Sequence, residues 1–346
     1  VRGSGMVRDL REAARLDPDL VRIVNSFAGS SRAEMIVKVD QLVADWAATS
    51  GFKTSKLRVE ALGMKLICGL PGVTPDEMKA LRSVGQTEQS KASILAQLKV
   101  SEARYESLRA QEAEMSRMVE ILEVFNGQNY LEVSDEWLRS MAASTSNASR
   151  SSAPVFIEIG LLWVNRTEPL TQAFVALKES IYDALVLPTR LKDCIDAIKI
   201  NVSSHGFAFD FNAIDFKFDQ SYAIDPFRTF VDCIDLQRVS DNLGRAGWQG
   251  AAKLSSWATD LVSKGQVDAL NSKLASEFAV SNRGIPKIKA GTNASDVIFA
   301  DAKQSARDIK QFLLLGLGGN DYLRGDDGGD ILDGGVGNDT LNGGAG

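Results

Sequence analysis

The sequence of 346 residues predicts a mainly α-helical, multi-helix protein that ends in a short stack of parallel strands. Three observations predict this fold class. Apolar residues recur at helical spacing through most of the chain before residue 290. The segment 87–125 contains neither proline nor glycine, which favours one long helix. From Gly316 to Gly346 the chain is rich in glycine and aspartate and repeats every nine residues.

The first part of the chain predicts several helices with recognisable starts. Residues 6–49 carry apolar residues at helical spacing, and one helical face would hold Met35, Val39, Leu42 and Trp46. Ser31 is followed three residues later by Glu34, which is the spacing of a capping box. Thr74 followed by Pro75 predicts the start of another helix, because proline fits the first helical position.

The segment 87–125 predicts the longest helix. Alternate steps of four and three residues from Ile94 to Leu122 select mostly apolar or aromatic side chains, the pattern of a narrow coiled-coil-like seam. Such a helix would be about 55 Å long at 1.5 Å per residue, and it would end near Asn126. Glu112 interrupts the seam and would need a partner. We interpret this helix as a packed strut, with a partner-binding arm as the alternative.

A stretch rich in serine and alanine, 140–154, predicts a loop between two halves of the body. We therefore expect a helical domain over 1–145 and a second, mainly helical region over 153–290 that packs on the first. The repeats would form a third region, 291–346.

The second region predicts further helices and one strand. The apolar run 155–164 fits either a buried strand or a helix. Residues 167–187 and 189–202 read as helical, whereas alternating phenylalanines over 206–219 predict a strand. More helices follow, and the aromatic residues, including Trp248 and Trp257, are interpreted as core rather than as a ligand site.

The C-terminal repeat has a fixed phase. In each nine-residue unit glycine takes the first and fourth places, aspartate the sixth and leucine the eighth. A disordered low-complexity tract has no reason to hold such a phase, so we favour an ordered repeat. Each unit predicts a glycine-rich turn and a short strand, with internal ladders of leucine and with aspartates in the turns. The members are Gly316, Gly325 and Gly334 at the first place, Gly319, Gly328 and Gly337 at the fourth, Asp321, Asp330 and Asp339 at the sixth, and Leu323, Leu332 and Leu341 at the eighth.

The turn aspartates predict a bound cation, because they would otherwise repel one another. Ca²⁺ accepts six to eight oxygens, and glycine turns expose backbone carbonyls beside the carboxylates. This nonapeptide pattern resembles the RTX, or haemolysin-type calcium-binding, repeats of bacterial proteins exported by type I secretion. The resemblance implies a parallel β-roll. It also implies Ca²⁺ ligands at the first, third and sixth places: Gly316, Gly318, Asp321, Gly325, Asp327, Asp330, Gly334, Val336 and Asp339.

In the family one coil takes two nonapeptides, so turns eighteen residues apart stack. The resemblance thus implies one complete site between the turns of Asp321 and Asp339 and a half-built site at Asp330. Upstream, 291–299 looks like a degenerate opening row with aspartate at its sixth place. Whether that residue, Asp296, contacts an ion stays open.

Parts of the helical body also resemble known proteins. Residues 3–51, 223–236 and 313–323 are similar to helical modules of very large RTX proteins, including iron-regulated Frp-type proteins. The resemblance implies a secreted or cell-surface protein that uses type I secretion machinery, but it assigns no activity to the helical body. We expect the chain to be a fragment of a longer protein.

Composition and motifs argue against several functions. The formal net charge is -6 without a basic stripe, which argues against nucleic acid, and no apolar run predicts a transmembrane segment. The single histidine, His205, excludes an HExxH zinc protease in this chain, and no GxSxG motif is present. We therefore expect no enzyme. The cysteines, Cys68, Cys194 and Cys233, are interpreted as buried small hydrophobes, with a disulfide between the last two as the alternative.

The sequence is best explained as the calcium-binding module of a secreted RTX protein, similar to a toxin or effector, whose tail folds in extracellular calcium. A structural or adhesive segment of a giant surface protein is the alternative, with an unknown protein or cell-surface partner. A third possibility is calcium-dependent self-cleavage at an Asp-Pro bond. The chain has Asp17-Pro18 and Asp225-Pro226, although each aspartate equally fits a helix end whose next helix begins with proline.

Overall fold

We describe the protein from a computed structural model. The structure describes residues 12, 16–49, 56–68, 70–85, 88–126, 167–203, 206–281, 284–300 and 309–345. It is mainly helical, with short parallel strands at the C-terminal end, as predicted. The predicted loop 140–154, the apolar run 155–164 and His205 lie outside the described residues.

The described helices precede most of the strands. In chain order they are α1 (Pro18–Asn25), α2 (Arg32–Thr49), α3 (Lys56–Cys68), α4 (Pro75–Ser83), α5 (Lys91–Leu98), α6 (Glu102–Asn126), α7 (Thr167–Val186), α8 (Lys192–Ile195), α9 (Asn212–Ile224), α10 (Pro226–Val239), α11 (Asp241–Arg245), α12 (Gly250–Ser263) and α13 (Val267–Glu277). The strands are β1 (Lys199–Ser203), β2 (Gly206–Asp210), β3 (Ile285–Ala290), β4 (Val297–Phe299), β5 (Ile309–Leu315), β6 (Tyr322–Arg324), β7 (Ile331–Asp333) and β8 (Thr340–Asn342).

The chain divides into two compact units. The first combines Val1–Glu12 with Leu42–Leu177, and the second combines Ala13–Gln41 with Lys178–Gly346. The boundaries fall within α2 and α7. Residues 13–41, which the predicted first domain contains, thus group with the C-terminal part of the chain. Whether 1–145, 153–290 and 291–346 fold as separate domains stays a prediction.

In the first unit the prediction of one long helix over 87–125 is wrong, because the chain forms two helices there, α5 and α6. Lys99 adopts a left-handed conformation with φ 55°. The N–H of Val100 then donates to the carbonyl of Leu95 at 3.0 Å, which closes α5. The N–H of Arg104 donates to Ser101 Oγ at 3.3 Å at the start of α6. The break therefore has a local cause, a C-terminal turn followed by a serine cap.

The predicted seam nevertheless lies on the buried side of these helices. Along it Tyr105, Leu108, Val119 and Leu122 are buried, and so is Glu112, which pairs with Arg109 on the same helix. Helix α3 packs against α6 at a close approach. A Cβ built on Gly63 would lie only 3.0 Å from the carbonyl oxygen of Glu112, so glycine is needed at that contact.

Helix starts follow the predicted caps. Ser31 and Glu34 form the reciprocal capping-box hydrogen bonds, with distances of 2.8 and 3.2 Å. Thr74 caps α4, whose first residue is Pro75. Asp17 caps α1 and Asp225 caps α10. Both Asp-Pro pairs are thus helix starts, which is the structural alternative that the sequence left open.

The second unit contains a network of buried charges. Asp235 is 2% exposed and accepts hydrogen bonds from Arg32, Arg190 and the hydroxyl of Tyr182. Arg32 also pairs with Glu179 at 2.9 Å and donates to the carbonyl of Glu277 at 2.9 Å. Because Arg32 is 203 residues from Asp235 in sequence, this network explains why residues 13–41 group with the C-terminal part of the chain.

Residues 199–224 differ from the sequence prediction. The predicted helix over 189–202 is wrong beyond α8, because β1 begins at Lys199 and pairs with β2 in an antiparallel hairpin. The predicted strand over 206–219 is right only in its first part, since α9 begins at Asn212. The side chain of Phe209 is 47% exposed, so this aromatic residue is not core, whereas Trp248 and Trp257 are buried as predicted.

No disulfide joins the three cysteines. Cys233 is fully buried, as the interpretation of a small hydrophobe predicts, whereas Cys68 and Cys194 are only partly buried. Burial raises the pKa of the Cys194 thiol to about 11.

The C-terminal strands (β3–β8) form two parallel sheets. Successive strands after β4 alternate between them, so that the orders are β3-β5-β7 and β4-β6-β8. Ile298, Phe312, Leu314 and Leu323 form an apolar cluster, against which Leu332 packs. The predicted leucine ladder weakens along the chain, because Leu323 is fully buried whereas Leu341 is 49% exposed.

Candidate cation site in the glycine-rich turns

The turns before β4, β6 and β8 form one stack, which we call the first turn column. It contains the turns Gly291–Asp296, Gly316–Asp321 and Gly334–Asp339. Its alignment follows from the strands, because Val297, Tyr322 and Thr340 are in parallel register. The turn Gly325–Asp330 lies before β7, in the other sheet.

Backbone-to-carboxylate hydrogen bonds join the three turns of the first turn column. The N–H of Asp296 donates to Asp321 Oδ1 at 2.7 Å. The N–H of Asp321 donates to Asp339 Oδ1 at 2.9 Å. Each bond uses one oxygen of a carboxylate and leaves the other oxygen for a further partner.

The second oxygen of Asp321 has no partner. Asp321 is 2% exposed, and its Oδ2 is buried without a hydrogen bond. A buried carboxylate oxygen without a donor is energetically costly, by about 1–3 kcal/mol or more for a charged group. This oxygen therefore requires a positive charge or a donor that the described protein atoms do not provide.

The backbone of Gly316 is packed closely against Asp321 Oδ2. A Cβ built on Gly316 would lie 2.3 Å from Asp321 Oδ2 and 2.5 Å from the carbonyl oxygen of Gly334. Two oxygens from stacked turns thus lie against the backbone of Gly316, where the Cβ of any other residue would clash with both. The same arrangement recurs at Gly325, where a Cβ would lie 2.4 Å from the carbonyl oxygen of Gly343 and 2.7 Å from Asp330 Oδ2.

The other aspartates differ in how the protein satisfies them. Asp296 Oδ2 accepts hydrogen bonds from the backbone N–H of Thr292 at 2.6 Å and from its hydroxyl at 2.9 Å. Asp330 Oδ2 accepts from the N–H of Asp326 at 2.8 Å, and Asp330 Oδ1 accepts from Phe312 at 2.7 Å. Burial, with the nearby charge of Asp326, raises the pKa of Asp330 despite these bonds.

The predicted residues at the third place lie in two different surroundings. Gly318 and Val336 are joined by a parallel bridge, which brings them together within the first turn column. The carbonyl of Val336 accepts from the N–H of Gly319 at 3.0 Å. Asp327 lies in the turn of the other sheet, and its side chain is exposed.

The donor set is dominated by backbone oxygens. Within the described residues, no group of three or more His, Cys, Asp or Glu side chains is placed to hold a metal ion. A cation beside Asp321 would therefore take most of its ligands from carbonyl groups and water. Hard cations with oxygen ligands, such as Ca²⁺, accept such a set.

Two residues that contact these strands were missed by sequence reasoning. Ser255 on α12 hydrogen-bonds Asp333 in β7, and Asn271 on α13 contacts Ile288 in β3. Neither residue lies in a recognisable motif, so only the tertiary arrangement reveals them.

The sequence is similar to a much larger protein. It is 23% identical over 302 residues to the iron-regulated protein FrpA of Neisseria meningitidis serogroup C. The similarity covers 86% of this chain and 23% of FrpA, so the chain spans less than a quarter of the length of that relative. No family model matches the chain, and no solved structure gives a significant match. Among the described helices, none is both long enough and apolar enough to cross a membrane.

Proposed function

We propose that the chain is a calcium-binding module of a secreted bacterial protein of the RTX type. In this proposal the C-terminal strands form the beginning of a β-roll, and Ca²⁺ binds in the first turn column between the turns of Asp321 and Asp339. The type I secretion machinery is the proposed export partner. We propose a binding role for this chain and no catalysis.

The observation that carries the proposal is Asp321 Oδ2. This oxygen is buried, lacks a hydrogen bond and lies against the backbone of Gly316, close to the carbonyl of Gly334 in the neighbouring turn. Ca²⁺ binds oxygen ligands at about 2.3–2.6 Å and tolerates irregular geometry. It would supply the missing positive charge without requiring a third acidic side chain.

The topology supports the same proposal. Two parallel sheets with alternating strands are what stacked nonapeptides produce when each coil contains two of them. The similarity to FrpA extends over most of the chain, so it includes much of the helical body. Secretion follows only from this resemblance, and it remains part of the proposal.

A calcium titration with two matched variants tests the proposal. Wild-type protein should bind Ca²⁺ in isothermal calorimetry and gain β-type circular dichroism. Asp321→Asn should lose that binding, because it removes the unpartnered carboxylate. Asp268→Asn makes the same charge change at an exposed side chain of α13, outside the repeats, and should retain binding. Equal binding by all three proteins, or no binding by the wild type, would overturn the assignment.

A further inference from the structure

We infer that helices α10, α12 and α13 form an N-terminal cap that holds the first coil, defined as β3, β4 and β5, without a bound cation. Calcium would then order only the strands that follow β5, which add to the edge of the already folded first coil. The part concerning calcium rests on the proposed function. The cap itself rests on four features of the second compact unit.

The first feature is a covered sheet edge. Strand β3 is the outer strand of the sheet β3-β5-β7. The side chain of Asn271 on α13 accepts from the N–H of Ile288 at 2.9 Å and donates to the carbonyl of Ile288 at 3.0 Å. One amide thus satisfies both backbone groups of an edge residue. An edge closed in this way cannot accept another strand at that point, so strands can add only on the other side.

The second feature is an apolar layer between the cap helices and the sheet. Ile288 of β3 is in parallel register with Leu313 of β5, which is in register with Ile331 of β7. They line the same small space as Ile234 of α10, Leu254 of α12 and Leu274 of α13. Leu313 is 6% exposed and Phe312 is fully buried, so both faces of β5 are covered. Such burial stabilises the strand without any ion.

The third feature is the end of the strand stack next to β3. In β3 the residues in register with Phe312 and Leu314 are Lys287 and Lys289. The ammonium of Lys289 donates to the carbonyl of Phe299 at 2.8 Å and lies 5.1 Å from the ring centroid of Phe312. Lysines thus cover the end of the apolar cluster, as expected for a terminal repeat with a polar outer face.

The fourth feature is the first turn. Asp296 occupies the position that corresponds to Asp321 in the next turn, but both donors of Thr292 satisfy its Oδ2. Asp321 Oδ2 has no such donor. The turn of the first coil is therefore closed by the protein, whereas the next turn requires a cation. This contrast also bears on the open question of Asp296, which acts here as a turn-closing residue.

Hydrogen exchange measured by mass spectrometry on the whole chain tests the inference. In excess chelator, peptides from 285–300 and 309–315 should remain protected, whereas peptides from 331–345 should exchange quickly. Calcium should protect 331–345 and change the first coil little. Asn271→Ala should raise exchange in 285–290 by about tenfold or more, because a buried backbone pair loses its partner. Ser272→Ala, at an exposed neighbouring site on α13, is the matched control and should leave exchange unchanged.

The outcomes separate the cap from the calcium site. Protection of the first coil in chelator without any response to calcium would support the cap and contradict the proposed function. A calcium response with a first coil that exchanges as quickly as 331–345 in chelator would contradict the cap and leave the proposed function standing. Unchanged exchange in Asn271→Ala would also overturn the cap.

Discussion

Two buried carboxylates in the second compact unit are satisfied in opposite ways. Asp235 and Asp321 are each 2% exposed. Asp235 accepts from Arg32, Arg190 and Tyr182, so protein groups balance its charge. Asp321 accepts one backbone N–H, and its Oδ2 has no partner. Groups of this chain therefore balance the carboxylate of Asp235, whereas one oxygen of Asp321 is left without a partner.

The difference shows how one chain can combine a helical part whose buried carboxylate needs no ion with repeat turns that are proposed to need one. A buried charge that loses its partner is strongly destabilising. Where the partner is an arginine of the same chain, folding itself supplies the balancing charge. Where the partner is a proposed Ca²⁺ ion, stability rises with its concentration.

The largest expected effect comes from breaking the network around Asp235. Asp235→Ala would leave the guanidinium groups of Arg32 and Arg190 buried without their shared carboxylate, which should cost about 3–5 kcal/mol. The loss should be the same with and without calcium, as measured by urea denaturation followed by helical circular dichroism. Asp219→Ala, which removes an exposed pair with Lys253, should cost about 1 kcal/mol or less. A similar cost for both variants would contradict the role given to the network.

The next largest effect is the change in stability caused by Asp321→Asn, and its sign should depend on whether calcium is present. At calcium concentrations about 100-fold above the dissociation constant, Asp321→Asn should lose about 2.7 kcal/mol of stability, because the ion no longer binds. In chelator the same variant should be no less stable than the wild type, since it removes a buried charge without a partner. Denaturation of the C-terminal strands in both media measures this difference. An equal loss in chelator would show that the protein itself satisfies Asp321.

A smaller effect is expected from a substitution that disturbs the close packing at Gly316. Gly316→Ala would place a methyl group 2.3 Å from Asp321 Oδ2, the oxygen that is proposed to bind the ion. We expect weaker calcium binding and a loss of about 1–3 kcal/mol from overpacking. Gly329→Ala is the control, because a Cβ there meets nothing within 4 Å. Calorimetric titration of both variants measures the effect, and unchanged binding by Gly316→Ala would count against this location.

Much of the repeat region could be predicted from sequence, because the nine-residue phase marks the turns and the resemblance to RTX repeats implies that turns eighteen residues apart stack. The pairing of β6 with β8 brings the turns of Asp321 and Asp339 together, at the predicted spacing. The role of these residues as ligands stays a prediction. Capping signals were also local, so the helix starts at Ser31 and Thr74 could be predicted.

Other features could not be predicted, because they depend on conformation or on distant partners. The break in the long helix requires a left-handed Lys99, and lysine gives no signal for that conformation. Arg32 groups residues 13–41 with the C-terminal part through contacts more than 140 residues away in sequence, at 147 and 203 residues. The hairpin of β1 and β2 and the contact between Asn271 and Ile288 likewise appear only in the folded chain.

The smallest expected effect is a dependence of the stability of the folded form on pH in the absence of calcium. Burial raises the pKa of Asp330 above its ordinary value of 3.8. The folded form therefore holds more protons than the unfolded form just above that value, and stability should fall as pH rises through the raised pKa. Asp330→Asn should remove this slope. Denaturation between pH 3 and pH 6 in chelator checks it, and an identical slope in both proteins would assign the dependence to another group.

The central claim is that a cation completes the turn of Asp321, and a crystal structure grown with calcium tests it most directly. We expect an anomalous difference peak about 2.3–2.6 Å from both Asp321 Oδ2 and the carbonyl oxygen of Gly334. The claim would be contradicted by the absence of such a peak together with a water molecule or protein donor on Asp321 Oδ2.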